Sequence, residues 1–136
     1  MIITSPADQA GTAGKPGSQF TGPVYPYVTM PMTDGVTINT VNFTPGARTY
    51  WHSHERGQIL QVVAGRGLVQ AEGGACYELR AGDTVWSPPG ERHWHGAAPG
   101  SFLTHVAISL GVTQWGEELA DEPYRQAAAA HEPSDG

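Results

Sequence analysis

The stretch from 46 to 65, GARTYWHSHERGQILQVVAG, decides how this chain is read. His52 and His54 stand at i, i+2 within it, and Gln58 follows at the head of the apolar-rich run to Val63. A strand sends residues i and i+2 to the same face, so the two imidazoles project together while Trp51 and Ser53 face away. The stretch from 82 to 95, GDTVWSPPGERHWH, ends on a second pair of the same spacing, His93 and His95. A single inward histidine is ordinarily a core residue bonded to a backbone carbonyl. Two inward pairs packed together would leave ring nitrogens unpaired in a dry interior, a cost that a bound metal ion removes.

Around these stretches the chain reads as short strands with close turns. Val36 to Phe43 is β-branched and polar-interleaved, and Phe20 to Val28 carries Pro23 and Pro26, which place any strand there at an edge. Tyr50 to His54 and Gln58 to Val63 follow, the second closed by Gly65-Arg66-Gly67. Leu68 to Ala71 and Cys76 to Leu79 flank Glu72-Gly73-Gly74, a hairpin signal. Thr84 to Ser87, His93 to His95 and Phe102 to Leu110 complete the set. Turns at such regular spacing predict an all-β sandwich or barrel. Residues 1–19 read as a flexible arm, 20–112 as the barrel, and 113–136 as a tail. In that tail Trp115 to Leu119 reads as a short helix broken by Pro123, Tyr124 to Ala130 as a further turn or two, and the end from His131 as disorder.

Composition narrows the function classes. The chain has 136 residues, with 18 Gly and 11 Pro, a content that favours turns over a helix bundle. Lys and Arg number 7 against 13 Asp and Glu, for a net charge of −6. No basic cluster exists to displace counterions from nucleic acid or to dock on anionic lipid, so neither partner is expected. No apolar stretch approaches the roughly 20 residues of a membrane span. The one cysteine, Cys76, reads as structural, and the absence of a signal-peptide pattern leads to an expectation of a cytoplasmic protein.

The two histidine stretches together have the order and spacing of the paired cupin motifs. The chain resembles a single-domain cupin, a small β-barrel or jelly roll, over about residues 20 to 112. Two positions depart from the usual pattern: Gln58 stands where those proteins usually have Glu, and Ala97 where they usually have Asn. The resemblance implies a divalent metal held by His52, His54, Gln58 and His93, a set that is wholly neutral. Two readings of Gln58 stand at this point: a polar strand residue beside a three-histidine site, or a fourth ligand through its carbonyl oxygen. Strand parity favours the second, because Gln58, Leu60 and Val62 share the face that the resemblance places inward. Imidazole and amide ligands suit Mn(II) or Fe(II), with Zn, Ni or Co also compatible, at one ion per subunit. Without a carboxylate the ion keeps more of its positive charge, which favours polarising a carbonyl or alkoxide over activating oxygen.

The match is narrower still with the metal-dependent cupin hydroxynitrile lyases. It runs through Gly46-Ala47-Arg48-Thr49, Trp51-His52, His54, Gly57-Gln58, Gly82-Asp83, Val85-Trp86, Pro89-Gly90-Glu91, His93 to Ala97, and Thr104-His105 with Ala107-Ile108. Those enzymes split a cyanohydrin into a carbonyl compound and cyanide, or run the reverse. The resemblance implies His105 as acid/base, and Thr49 and His95 as pocket residues. His95 shares a face with His93 and is a second candidate proton carrier. Leu60 and Ser109 are expected to line a small-molecule substrate pocket. A dioxygenase or an isomerase or cyclase of small-molecule metabolism is the alternative within enzymes, and a non-catalytic small-molecule binder the alternative outside them. Trp51 and Trp94 are expected to point out of the barrel, where the arm or a second subunit would cover them. Together with the resemblance, this implies a homo-oligomer, a dimer or tetramer. His131 is assigned no role.

Overall fold

The computed structural model describes residues 1–5 and 19–131. Eleven strands and one helix appear among them: β1 Phe20–Thr21, β2 Val24–Thr33, β3 Val36–Phe43, β4 Arg48–Thr49, β5 His52–His54, β6 Gln58–Ala71, β7 Cys76–Arg80, β8 Thr84–Ser87, β9 His93–Ala97, β10 Leu103–Leu110, β11 Thr113–Trp115 and α1 Asp121–Ala129. All pairings are antiparallel, in the order β1-β4-β9-β6-β10-β3-β2, with β5 and β11 beyond β9 and with β7 and β8 on β6. The result is a nearly closed all-β barrel. Proline-bearing β2 lies at an edge, as its missing donors require. Asp34 and Gly35 join it to β3, with φ of 48° and 82°, the positive pair that a tight two-residue hairpin turn demands.

Strand β6 organises the barrel. The sequence predicts a turn at Gly65-Arg66-Gly67, but the strand runs through it unbroken for 14 residues. Its first half pairs with β8 and β10, and its second half with β7 and β9. Gly65 is where it passes from one sheet to the other. Its φ is +83°, and a Cβ there would lie 2.0 Å from the Phe102 carbonyl oxygen. Glycine therefore permits a bend at a close backbone approach here, not a chain reversal. The Glu72-Gly73-Gly74 hairpin stands as expected, with Gln70 opposite Cys76.

Two apolar clusters hold the fold. One fills the barrel interior and includes Val24, Val41, Phe43, Val62, Leu79 and Leu103. The other lies outside the sheet, where Leu68 and Trp94 meet Leu119, Tyr124, Ala127 and Ala128. Trp94 does point away from the ligands, but it is 0% exposed, because the chain's own C-terminal helix covers it. Neither the arm nor a second subunit is needed for that. Trp51 is half-buried and packs on the same cluster, with the Arg92 guanidinium 4.9 Å from its ring. Tyr124 Oη donates to the Ala97 carbonyl at 2.6 Å. Buried Arg48 donates to the Leu119 carbonyl at 3.0 Å and pairs with Asp121 at 2.7 Å, and it lies 4.3 Å over the Tyr124 ring. His131, at the far end, donates to the Cys76 carbonyl at 2.7 Å.

The tail differs from its sequence reading. Thr113–Trp115 is a strand on the free edge of β5, with Trp115 opposite His52. Its β-branched and aromatic residues suit that position, and the edge offers backbone partners that an isolated helical turn lacks. The helix runs Asp121–Ala129 with Pro123 inside it. Pro123 is the third helical residue, in the first turn where an N–H would have no intrahelical acceptor, so the donor it lacks costs nothing and it does not break the helix. The reading of a disordered end from His131 falls mainly on residues 132–136, outside those described, and that of the arm mainly on residues 6–18, also outside them.

Candidate functional site

The inner faces of β5, β6, β9 and β10 bring five histidines together. Strand alternation puts His52 and His54 on one side, His93 and His95 beside them, and His105 on the wall formed by β10. All five are buried. Ring centroids lie 4.4 Å apart for His52 and His93, 5.0 Å for His52 and His54, 5.5 Å for His54 and His93, and 4.8 Å for His95 and His105. Ligand atoms of His52, His93 and His95 fall within 4.8 Å of one another, so these three could hold a metal ion.

The hydrogen bonds separate the histidines into two groups. His52 Nδ1–H donates to the Tyr50 carbonyl at 2.8 Å, and His93 Nδ1–H to the Glu91 carbonyl at 3.0 Å. Each bond fixes the tautomer that leaves Nε2 with a free lone pair, the orientation metal-binding imidazoles take. His54 Nδ1 pairs with the Thr113 hydroxyl at 3.0 Å, and its Nε2 is buried without a partner. Gln58 Nε2 donates to Ser109 Oγ at 3.1 Å, which turns Oε1 inward to 3.2 Å from His93 Nε2. With Nδ1–H already engaged, neutral His93 offers a lone pair there, and so does the amide oxygen. Two acceptors face each other, an arrangement that a cation between them stabilises. The donor set thus fits a divalent ion.

His95 and His105 form the other group. Their rings meet at His105 Nε2 and His95 Nδ1, 3.0 Å apart, with one proton between them. The outer nitrogens, His95 Nε2 and His105 Nδ1, are buried without partners. Phe43 packs on both rings, at 6.0 and 5.1 Å. Burial depresses the basicity of all five: His54 and His105 fall to about 4, and His52, His93 and His95 are lowered as well. For His52 and His95, neighbouring imidazoles add to the desolvation. Every ring is therefore neutral near pH 7.

His52, His54, Gln58, His95 and His105, but not His93, line a cavity of about 250 Å³. That is below the range for drug-sized ligands and suits a molecule of about one ring. Thr49, His95, Ser109 and His105, all singled out from sequence, lie on its wall. Thr49 Oγ1 also accepts the His95 backbone N–H at 3.2 Å, so it positions that strand. Leu60 is fully buried and lies outside the cavity lining. Sequence reasoning missed Asn39, Phe20 and Trp115. Trp115 stacks 4.6 Å from His52 beside the cavity, and Phe20 packs on Trp115 at 6.1 Å. Asn39 shares parity with buried Val41 and Phe43, which is a signal the sequence did contain. Among the described residues, no carboxylate lines this cavity.

A family model for the cupin domain matches residues 39–106, half of the chain. The chain belongs to the cupin family. Over 132 residues this cupin is 46% identical to an (R)-mandelonitrile lyase from Granulicella tundricola, covering 93% of this chain and 100% of that one. A cupin-like protein from Thermotoga maritima superposes with a TM-score of 0.81 at 40% identity, covering 86% of this cupin and 92% of that chain. A polyketide cyclase from Streptomyces resistomycificus superposes with a TM-score of 0.61 at 18% identity, covering 75% and 76%, a likeness of fold alone.

Proposed function

We propose that this cupin is a metal-dependent lyase for small cyanohydrins, interconverting them with a carbonyl compound and cyanide. His52, His54, Gln58 and His93 would hold one divalent ion, Mn(II) or Fe(II) before Zn, Ni or Co. The observation that carries the reading is the inward Gln58 Oε1, 3.2 Å from His93 Nε2, beside a separate pair of neutral imidazoles. The 46% identity to an (R)-mandelonitrile lyase over nearly the whole chain supports it.

When bound, the ion supplies Lewis acidity toward the substrate oxygen. The remaining work falls to the chain. The His95–His105 pair accepts the hydroxyl proton through an unpartnered outer nitrogen and spreads it across their shared contact. The C–C electron pair leaves with cyanide, and the same pair returns the proton to the leaving anion. Burial keeps both imidazoles neutral, hence able to accept, at neutral pH. Phe43, Phe20 and Trp115 limit water around the site. His95 would stay out of the ligand set by accepting the His105 Nε2–H at its Nδ1, which puts its own proton on Nε2.

The test is anaerobic turnover. Protein loaded with Mn(II) or Fe(II) is expected to release aldehyde from mandelonitrile without oxygen. Silence there, with oxygen uptake on an enol or catechol, would replace this reading with a dioxygenase.

A further inference from the structure

Asn39, like the exposed Gln19, is a polar residue of the cavity wall outside both the ligand set and the proton pair. It lies on β3, opposite Ala107 of β10 on one side and Val28 of β2 on the other. All three line the cavity, with Pro26 nearby. Its Oδ1 is buried and has no hydrogen-bond partner. The flanking residues are apolar. The nearest polar positions on β10, His105 and Ser109, sit diagonally at about 7–8 Å between Cα atoms. A desolvated amide oxygen without a partner is unfavourable, and an apolar residue would serve the barrel better at this position. A hydrogen-bond donor on a ligand would supply that partner.

Gln58 is two strands away, across β10, and offset by two residues, since it pairs with Ser109 and Asn39 with Ala107, so the two lie roughly 12 Å apart by the ordinary strand spacing. A small molecule with its reacting oxygen beside Gln58 and His93 thus reaches Asn39 with its far end. Resting on the lyase reading above, we infer that Asn39 selects substrates whose carbon side chain carries a hydrogen-bond donor, a hydroxyl or amine, directed at Oδ1. Asn39 is a specificity-determining residue, and the preferred substrates are hydroxylated aldehydes and their cyanohydrins.

Calorimetric titration of the Mn(II)-loaded protein with 3- and 4-hydroxybenzaldehyde and their methoxy counterparts tests this. A methoxy group accepts but cannot donate. In the native chain one hydroxy isomer should bind about tenfold more tightly than its methoxy partner. In Asn39→Leu, and in the smaller Asn39→Ala should Leu not fold, that ratio should fall to about one. The readout is a ratio, so a general loss of affinity cancels. A ratio near one in the native chain, a ratio above one that survives both replacements, or no binding of any aldehyde overturns the inference. Cyanohydrin cleavage in the same samples separates the two readings. Cleavage without the hydroxyl preference sinks this inference alone, whereas an Asn39-dependent preference without cleavage sinks the lyase reading alone.

Discussion

Strand β9 faces two regions at once, and they differ in how they treat polar atoms. Inward, His93 meets Gln58, and His95 lines a cavity where three histidine nitrogens and the Asn39 oxygen are buried without partners. Outward, Trp94 lies under α1, where its Nε1–H reaches Gln70 Oε1 at 3.1 Å, Tyr124 closes on Ala97, and Arg48 reaches Leu119 and Asp121. Arg48 Nε is the one unpartnered buried side-chain atom among the described residues of that outer region. The outer region is finished by its own contacts. The inner one is complete only with something bound. Unsatisfied polar atoms gathered on one face of an otherwise satisfied barrel mark the site, and the alternation of a single five-residue strand keeps the two regions apart.

The contrast breaks most sharply at the ligands. His52→Ala or His93→Ala should empty the metal site and take lyase turnover to background, with α1 still docked; metal analysis and proteolysis of the tail check this. Trp94→Ala should do the opposite, costing about 3–5 kcal/mol of stability while metal stays bound to whatever folds. Chemical denaturation with and without added Mn(II) reads both.

A pH titration probes the inner region alone. A histidine in the unfolded chain titrates near 6.5, while folded His54 and His105 are held at about 4. As the pH falls from 6.5 toward 4, the unfolded chain takes up protons first and metal-free protein loses stability. Buried His105 alone accounts for about 3 kcal/mol of that loss, and from about pH 7 to about pH 8 the curve should be flat, before the buried Cys76 thiol and Tyr124 hydroxyl, both pushed up, begin to ionise in the unfolded chain. Denaturation midpoints across this range check the sign. The smallest expected effect is Tyr124→Phe. It removes one hydrogen bond to Ala97 and should cost about 1 kcal/mol without moving activity.

The barrel and most of its site were legible because strand parity is a strict rule. The shared face of each i, i+2 histidine pair follows from alternation, and the inward face of Gln58 from alternation together with the resemblance to cupins. The misreadings have the opposite origin, in residues whose meaning depends on partners far along the chain. Gly65 reads locally as a turn, yet it lets β6 pass close to Phe102. Pro123 reads as a helix breaker, yet it occupies the first turn, and Trp115 reads as helical until the free edge of β5 is known. Trp94 looked like an interface residue because its cover lies about 30 residues downstream. Leu60 shared the inward parity but faces apolar core away from the cavity, a distinction of depth that alternation does not carry.

The proposed function divides the histidines: His54 would hold metal with His52, Gln58 and His93, and His95 would be left to handle protons. Elemental analysis of His54→Ala and His95→Ala, purified side by side after Mn(II) loading, tests it directly. His95→Ala should keep about one ion per subunit and lose turnover by about 100-fold or more, and His54→Ala should lose the metal. Retention in His54→Ala with loss in His95→Ala would instead place the ion among His52, His93 and His95 and contradict the claim.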